Sequence, residues 1–514
     1  MEKSSRTVNT FKNMSISLIL YGISYVAVFV ARTFFVRILG NDYLSISGLF
    51  TNVITLVSFS ELGLGAASVF CLYQPIAEKD YSKINALLRF FGNLYKIVAG
   101  ITILLGIILL PFLPLMVDME DLSFSQVYLR LVYILFIINT AVSYILVQKK
   151  LFLTADQKNY IANIIQQIIH VIQLVLQTVF LVATHNYIGY LIIQIVCTFL
   201  TNFITSCYVD KKYPDIMRNN HSEEIGPEQR KEISQNITSI FFYKIGAVIL
   251  NGTDNIIISA FIKTLLVGLC SNYTLVINAV NSVAMQCFNG IGASIGNHTL
   301  KASKKDQELV FRELDLFCVI VFTFCSVCLS VLLNALIPVW LGENYKLDQG
   351  TVFALVFAFY ITGVNQIPSL YRTSLGLFKD ARFYPLFAAA SNIILSIALA
   401  KLIGVSGVFW ATAIVRFVFF TLIDSRLTYK KGFEMSPTSY YLKYCLRIAV
   451  FLIIYFIASV AVAYNKIPGI TGLLISVIIC VTITTICLVI AYGWKKESKL
   501  LITRVKTLIK HKKG

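Results

Sequence analysis

Two stretches of sequence share one skeleton: "LTADQKNYIANIIQQ" (Leu153–Gln167) and "FKDARFYPLFAAASN" (Phe378–Asn392). Each contains an Asp, a basic residue and a Tyr at alternate positions, and the second copy follows the first by 224 residues. The matching residues are Asp156, Lys158 and Tyr160 in the first copy and Asp380, Arg382 and Tyr384 in the second. We call each copy an elbow. Because both elbows lie between long apolar runs, they predict that the chain is an internal repeat.

The composition predicts a membrane protein. Of the 514 residues, 57% are hydrophobic and only 14% are charged, and the mean hydropathy is +0.75. A soluble domain carries about 25% charged residues, so this much apolar surface needs lipid as its solvent. The net charge of +18 does not indicate nucleic acid, because the basic residues punctuate apolar runs and do not mix with aromatic residues on a polar surface.

About fourteen segments are long and apolar enough to cross a bilayer, which takes roughly 20 residues. They are 13–36, 44–73, 86–110, 127–147, 159–183, 187–208, 236–261, 265–295, 314–336, 351–370, 383–402, 405–423, 448–464 and 469–492. The first run is too long for a signal peptide, so we expect a retained helix. The fold class is therefore an all-α polytopic membrane protein.

Lys and Arg set the orientation of such helices. With both termini in the cytoplasm, the cytoplasmic segments hold 34 of the 44 Lys and Arg residues, and the opposite connections hold 5. This asymmetry predicts cytoplasmic termini and an even number of helices.

The elbows fall between helices four and five and between helices ten and eleven. Weaker echoes follow in the same order, such as "GLGAAS" (Gly63–Ser68) and "GIGASI" (Gly290–Ile295). The sequence therefore predicts two six-helix lobes related as parallel repeats, which form a cleft that opens by rocking, plus two further C-terminal helices. The boundaries are 1–210 and 236–430 for the lobes, 211–235 for a cytoplasmic linker, and 431–514 for the last two helices and a basic tail. We expect the tail to lie on anionic lipid.

The elbow itself has a structural interpretation. We expect its basic residue and its Tyr at the cytoplasmic interface, and its Asp at the N-terminus of the following helix as a cap. The elbow therefore identifies the architecture and is not interpreted as a site.

The chain resembles the bacterial polysaccharide flippases of the multidrug/oligosaccharidyl-lipid/polysaccharide exporter superfamily. Three stretches carry the resemblance: "FFVRILGNDYLSISGLF" after helix one, "SELGLGAAS" at the end of helix two and "GLFKDARFYPLFAAASNIILSIALAKLIGVSGVFWATAIVRF" late in the chain. The resemblance implies movement of an undecaprenyl-pyrophosphate-linked oligosaccharide to the outer leaflet of the bacterial cytoplasmic membrane, for O-antigen or capsule synthesis. It implies membrane lipids, a polysaccharide polymerase and chain-length machinery as further partners. Drug exporters that use ion gradients are relatives in the same superfamily.

Charges inside apolar runs point to a site, because a charge in mid-bilayer costs about 2.5 kcal/mol or more. We expect the cations to line a wet cavity that suits a pyrophosphate, or to snorkel to an interface in the case of Arg32 and Lys96. The four candidate cations are Arg32, Lys96, Lys244 and Arg416. Glu61 and Asp254 are candidates for coupling to a cation or for pairing with these bases.

Polar residues within helices have two interpretations. His170 lies beside Gln166, Gln167 and Gln173, and this stripe either meets sugar hydroxyls or forms hydrogen bonds between helices. Asn251, one turn from Asp254, is open to the same two interpretations.

Other function classes fit less well. A drug antiporter of the same fold needs a more acidic, aromatic cavity for organic cations. A membrane enzyme needs large loops with catalytic groups, and a primary pump needs a phosphate-binding loop. The sequence has neither feature. The Cys325–Cys328 pair lies in a predicted membrane helix without further metal ligands, so we expect free thiols, no metal and no cofactor.

Overall fold

The structure, a computed structural model, describes residues 2–58, 64–117, 124–217, 226–227, 245–246, 248–286, 288, 303–375, 377–381 and 383–500. These residues form helices and short connections, with no strand among them. Contacts between α-carbons divide the chain into two compact units, Met1–Gly268 and Leu269–Gly514.

The described residues of the N-terminal unit form eight main helices. They are α1 (Glu2–Val57), α2 (Leu64–Glu78), α3 (Tyr81–Leu109), α4 (Gln126–Ser143), α5 (Val147–Ala155), α6 (Asn159–Thr184), α7 (Tyr187–Lys212) and α8 (Asp254–Phe261). Short turns of helix lie at Leu110–Phe112, Leu113–Met116 and Pro214–Met217.

The described residues of the C-terminal unit form nine further main helices, the first of which begins in the N-terminal unit. They are α9 (Thr264–Gln286), α10 (Lys304–Leu341), α11 (Gln349–Val364), α12 (Gln366–Ser374), α13 (Tyr384–Ile403), α14 (Val405–Val415), α15 (Leu422–Leu427), α16 (Thr438–Ala463) and α17 (Gly469–Tyr492). Two π-helical segments, Arg416–Thr421 and Thr428–Phe433, flank α15, and short turns of helix lie at Glu343–Tyr345 and Phe378–Ala381.

Within the described residues, twelve helical segments are long and apolar enough to cross a membrane. The first of them, 22–57, overlaps the later part of predicted helix one and the first half of predicted helix two. The eleven others correspond one to one to predicted segments, and only predicted helix seven is not among them, because residues 236–244 lie outside the described part. The chain is therefore an all-α, multi-pass membrane protein, as the composition predicts.

Gly40 interrupts α1. Its φ of 81° and ψ of −170° are not helical, and a φ in this range favours glycine. The interruption falls between the first two predicted segments, so α1 is two helices that continue across one turn.

Side-chain caps start several helices. Asp80 accepts a hydrogen bond from the backbone N–H of Lys83 at 2.9 Å at the start of α3, and Asp348 does the same for Thr351 at the start of α11. Such caps satisfy backbone donors that the first helical turn leaves without partners.

Segments that the Lys and Arg pattern places on one side of the membrane meet in the structure. Lys149 pairs with Asp210 at 2.6 Å, and Lys304 pairs with Glu434. At the other end of the N-terminal unit, the ring of Tyr43 packs against those of Phe124 and Tyr187, with centroid distances of 4.6 and 5.1 Å. These contacts support the predicted alternation of the helices.

Both elbows contact the end of a later helix in their own unit. Asp156 accepts a hydrogen bond from the hydroxyl of Tyr213, just after α7, at 2.5 Å and pairs with Lys158 at 2.7 Å. Asp380 pairs with Lys431, in the π-helical segment after α15, at 2.5 Å. Neither contact is a cap, and no side chain caps the start of α6 or of α13, so the capping expectation is wrong for both elbows.

The aromatic residues of the two elbows differ in environment. Tyr160 is exposed at the start of α6, as expected of an interfacial residue. Tyr384, at the start of α13, is buried and donates a hydrogen bond to Asp424 at 2.8 Å. Tyr384 thus lies at the end of a candidate membrane span, as Tyr160 does, but its side chain contacts protein.

Candidate functional site

The helix break between α4 and α5 organises the polar part of the N-terminal unit. The sequence predicts a continuous helix over 127–147, but the structure ends α4 at Ser143 and resumes at Val147, with Leu146 in the left-handed region at φ 65°. The amide of Asn202, on α7, donates hydrogen bonds to the carbonyls of Ser143 at 2.8 Å and Ile145 at 2.9 Å. These bonds satisfy carbonyls that the break removes from the helix. Non-helical backbone at membrane depth is tolerated where it is buried in protein or lines a wet cavity.

A polar cavity of about 510 Å³ lies beside this break, within the N-terminal unit. Its wall comes from α1, the α4–α5 break, α6 and α7. The polar lining residues are Ser24, Tyr25, Ser143, Tyr144, Lys150, Gln166, Gln167, His170, Gln173, Thr198, Thr201 and Asn202. Lys150 is the one Lys or Arg among the lining residues, and none of them is acidic. We call this space the amide cavity.

Hydrogen bonds hold the stripe of α6 that faces the amide cavity. His170 Nδ1 lies 3.1 Å from the hydroxyl of Ser24 on α1, and Lys150 donates to the side chain of Gln166 at 2.8 Å. One turn further along, Gln173 donates to Gln177 at 3.2 Å. The stripe therefore makes interhelical contacts and also lines a cavity, so the two interpretations of His170 are compatible.

A second cavity of about 460 Å³ lies on the other side of the break. Its charged lining residues are Arg89, Lys96, Lys149 and Asp210. We call it the basic cavity, because three cations face one carboxylate there. Tyr144 lines both cavities, and α5 sends Val147 and Lys150 to the amide cavity but Gln148 and Lys149 to the basic cavity.

The break explains how α5 serves both cavities. Consecutive residues of a helix point about 100° apart. A short helix that has a cavity on each of two sides therefore presents one pair of its residues to one cavity and a different pair to the other. The sequence places 148–158 in a connection, and in the structure this segment is α5 itself.

The predicted site residues fall in different environments. His170 lines the amide cavity, and Lys96 is exposed on α3 and lines the basic cavity. Arg32 is partly buried on α1, within electrostatic range of Tyr187 and Tyr190. Thus the structure brings Lys96 and His170 to two neighbouring cavities and places Arg32 elsewhere in the same unit.

The remaining candidates lie away from these cavities or outside the described residues. Arg416 is half-buried at the start of a π-helical segment and donates a hydrogen bond to the hydroxyl of Thr362. Asp254 is partly buried in the first turn of α8, and Asn251 is exposed before it. Glu61 and Lys244 lie outside the described residues, so their roles stay predictions.

Sequence analysis missed two buried ion pairs in the C-terminal unit. Arg372, 1% exposed, pairs with Asp424, 0% exposed, at 2.7 Å. Arg447 pairs with Asp315 at 2.7 Å. The sequence interpretation counted both arginines in cytoplasmic connections, where a cation needs no partner. The available signal was the pair of aspartates, which lie next to or within apolar runs and therefore need partners.

No cluster of three or more His, Cys, Asp or Glu suited to a metal ion occurs in the described ranges. Cys325 and Cys328 are partly buried free thiols on α10.

Comparisons with known proteins agree with this architecture. No protein-family model matches the chain, and no curated protein matches it either. A solved structure of the lipid II flippase MurJ in an inward closed conformation is similar, with 14% identity, a TM-score of 0.66 and coverage of 93% of this chain and 99% of that one.

Two multidrug transporter structures are also similar. An inward-facing multidrug resistance MATE family transporter of the MOP superfamily has 13% identity, a TM-score of 0.58 and coverage of 78% of this chain and 93% of its own. The MATE multidrug transporter DinF-BH, solved in complex with R6G, has 17% identity, a TM-score of 0.55 and coverage of 81% and 95%. The chain therefore has the fold of these MurJ and MATE transporter structures, and this is the fold that the sequence resemblance predicts.

Proposed function

We propose that the protein flips an undecaprenyl-pyrophosphate-linked oligosaccharide repeat unit across the bacterial cytoplasmic membrane by alternating access, for surface polysaccharide synthesis. The observation that carries the proposal is the pair of cavities on either side of the α4–α5 break. One presents amides and hydroxyls, and the other presents an excess of cations.

The amide cavity has the chemistry that a sugar requires. Its Gln, Asn, Ser, Thr and Tyr side chains supply both donors and acceptors, which match the hydroxyls of a saccharide. Its volume of about 510 Å³ falls in the range of small-ligand sites, about 300–1,000 Å³, so it would hold part of an oligosaccharide.

The basic cavity has the chemistry that a pyrophosphate requires. Arg89, Lys96 and Lys149 face it, and its one carboxylate, Asp210, pairs with Lys149. Arg binds phosphate oxygens in a bidentate manner and Lys binds them as a point charge. Since Tyr144 borders both cavities, one ligand could place its sugars in the first and its phosphates in the second.

The broken helix is consistent with transport. In many transporters, discontinuous helices form the substrate site, because their free backbone groups and adjoining cavity contact the ligand. Here the break depends on the two hydrogen bonds from Asn202, so a change at Asn202 should reach both cavities.

A cation-coupled drug antiporter is the second candidate, because the MATE structures share the fold. An organic cation would need carboxylates or many aromatic rings. Among the described residues, none that lines the amide cavity is acidic, and the one acidic residue that lines the basic cavity already has a cationic partner. The lining therefore favours the flippase.

The first test is to deplete the protein from cells and to analyse lipid-linked saccharides by mass spectrometry, with a reagent that distinguishes the two leaflets. The flippase proposal expects one undecaprenyl-pyrophosphate oligosaccharide to accumulate on the cytoplasmic side. An unchanged lipid pool with normal surface glycan would refute it, and increased sensitivity to organic cations would then support the antiporter.

Matched variants link this phenotype to the cavities. Lys96→Gln with Lys150→Gln removes one cation from each cavity, and Lys211→Gln with Lys212→Gln removes two exposed cations from the same unit. Losing a hydrogen bond to a charged group costs about 1.5–3 kcal/mol, so we expect the cavity pair to lower export about 10-fold or more. Equal export by the two double variants would refute the assignment of the cavities.

A further inference from the structure

The C-terminal unit contains a third cavity, of about 440 Å³, that the transport proposal does not use. It lies between the first turns of α10, the N-terminal half of α16 and the residues just after α17. The Lys and Arg pattern places the ends of all three on one side of the membrane. We call it the interfacial cavity.

The charges that line the interfacial cavity leave a small positive excess. Arg447 pairs with Asp315 at 2.7 Å, and Arg312 pairs with Glu308. Lys443 and Lys495 then share one carboxylate, that of Glu497. Two lysines against one glutamate leave one positive charge, which matches the single negative charge of a phosphodiester.

Tyr492, which is 2% exposed, also lines this cavity, and its hydroxyl oxygen is buried. The ammonium of Lys495 lies 4.7 Å from the centroid of the Tyr492 ring, so the lysine and the tyrosine belong to one site.

The positive surroundings of Lys495 influence its pKa. Burial lowers its pKa below the usual value, and the nearby charge of Arg447 lowers it further, with Glu497 as the opposing influence. A bound anion would reverse this pressure by favouring the ammonium form.

The surroundings of the cavity are those of a membrane interface. Trp494 is 71% exposed at its rim, and Trp is enriched at the level of lipid headgroups. Next to it, Leu446 on α16 and Ile490 on α17 are exposed apolar residues on helices that are apolar enough to span the bilayer. An occupant thus meets cations at one end and an apolar surface at the other.

We propose that the interfacial cavity binds the headgroup phosphate of an anionic phospholipid, whose acyl chains lie along α16 and α17. Basic pockets between membrane helices on the cytoplasmic side bind such headgroups. The inference concerns the surrounding lipid and is independent of the transported cargo.

The test uses Trp494 as the reporter. The chain has three Trp residues, so a full-length background with Trp340→Phe and Trp410→Phe leaves Trp494 alone. The protein is placed in phosphatidylcholine vesicles, and brominated phosphatidylglycerol or brominated phosphatidylcholine is titrated in as the quencher. We expect phosphatidylglycerol to quench at a concentration at least fivefold lower, because one Lys near an anionic surface contributes about that factor.

Matched variants separate the cavity from general surface charge. Lys443→Gln with Lys495→Gln should bring the two lipids to equal quenching, whereas Lys430→Gln with Lys496→Gln, both exposed, should leave the preference unchanged. Equal quenching in the parent protein, or equal losses in both double variants, would overturn the proposal.

A final arm distinguishes lipid from free phosphate. Inorganic phosphate is added in large excess to the quenching assay. If the preference for phosphatidylglycerol remains, the site recognises the lipid. If it disappears and inorganic phosphate alone changes Trp494 fluorescence in detergent, the cavity is a free-phosphate site and the lipid proposal is wrong.

Discussion

The buried Arg372–Asp424 pair leads to a quantitative prediction about the C-terminal unit. Asp424 accepts hydrogen bonds from Tyr384 at 2.8 Å and Asn365 at 3.1 Å, besides its 2.7 Å bond with Arg372. Both members of the pair are at most 1% exposed. Removing one member of such a pair leaves a buried charge without its partner and costs about 3–5 kcal/mol.

The two single changes should differ within that range. Arg372→Met leaves a carboxylate that can take up a proton and keep its two other hydrogen bonds, so it should lower the free energy of unfolding by about 3 kcal/mol. Asp424→Asn leaves a guanidinium that cannot lose its charge, so it should lower the free energy of unfolding by about 5 kcal/mol. The double variant buries no charge and should cost about 1–2 kcal/mol, from imperfect packing and hydrogen bonding.

Thermal unfolding in detergent measures these costs. Buried free thiols such as Cys318 and Cys480 become reactive on unfolding, so a thiol-reactive dye reports the midpoint. At about 2–4 °C per kcal/mol for a unit of this size, the single variants should lower it by about 6 °C or more.

The control is Arg426→Met, which removes an exposed cation two residues after Asp424 and should leave the midpoint nearly unchanged. Additive effects of the two single changes, or single variants indistinguishable from the control, would refute a charge-based account of the pair.

Three further predictions concern other parts of the chain. Arg416 lies away from both cavities, so it tests the sequence-based expectation of a wider cationic cavity: on that expectation Arg416→Glu should abolish transport while the protein still inserts in the membrane, and normal surface glycan in cells with this variant would show that the charge is structural. Gly363→Ala should destabilise the protein by about 1–3 kcal/mol in the same thermal assay, because its new methyl carbon would lie 2.0 Å from the Phe322 ring. Its control, Gly100→Ala, has open space around the new methyl group and should be neutral or stabilising. Equal midpoints for the two variants would contradict the packing. Asp156→Asn should change stability by about 1 kcal/mol or less and leave export normal, since its pair with Lys158 is partly exposed; a loss of export at normal stability would make the elbow a functional site.

The sequence predicts well what depends on local hydropathy. Segments such as 159–183 and 469–492 agree with α6 and α17 to within a residue, because every position in a membrane helix must be apolar or justified by a partner. The break near Gly40 also falls in a predicted connection. The Lys and Arg pattern then orders the helix ends, since it reports on the interfaces alone.

Features that depend on another helix are not predictable in this way. No Gly or Pro marks the break at Tyr144–Leu146, which two hydrogen bonds from Asn202 on a different helix stabilise. Similarly, α16 begins at Thr438, ten residues before the predicted segment, since Tyr440, Tyr444 and Arg447 are polar in sequence but buried in place. Hydropathy does not record which face of a helix meets a partner.

The candidate site shows the same division. The Gln–His stripe of α6 was visible as a pattern, and it lines the amide cavity. Lys150 was assigned to a connection, because the break that turns it into the cavity was not visible. The partner of Arg372 lies 52 residues further along the chain, at a distance that no local pattern reports.

The two elbows show that the same attachment can be made with different partners. Each elbow has its aspartate at the same place, and in each the aspartate contacts the end of a later helix of its own unit. Asp156 accepts from the neutral hydroxyl of Tyr213 beside the ammonium of Lys158, and Asp380 pairs with the ammonium of Lys431. Because a carboxylate accepts from either kind of donor, the aspartate is the common element of the attachment, and the partner position tolerates a tyrosine or a lysine.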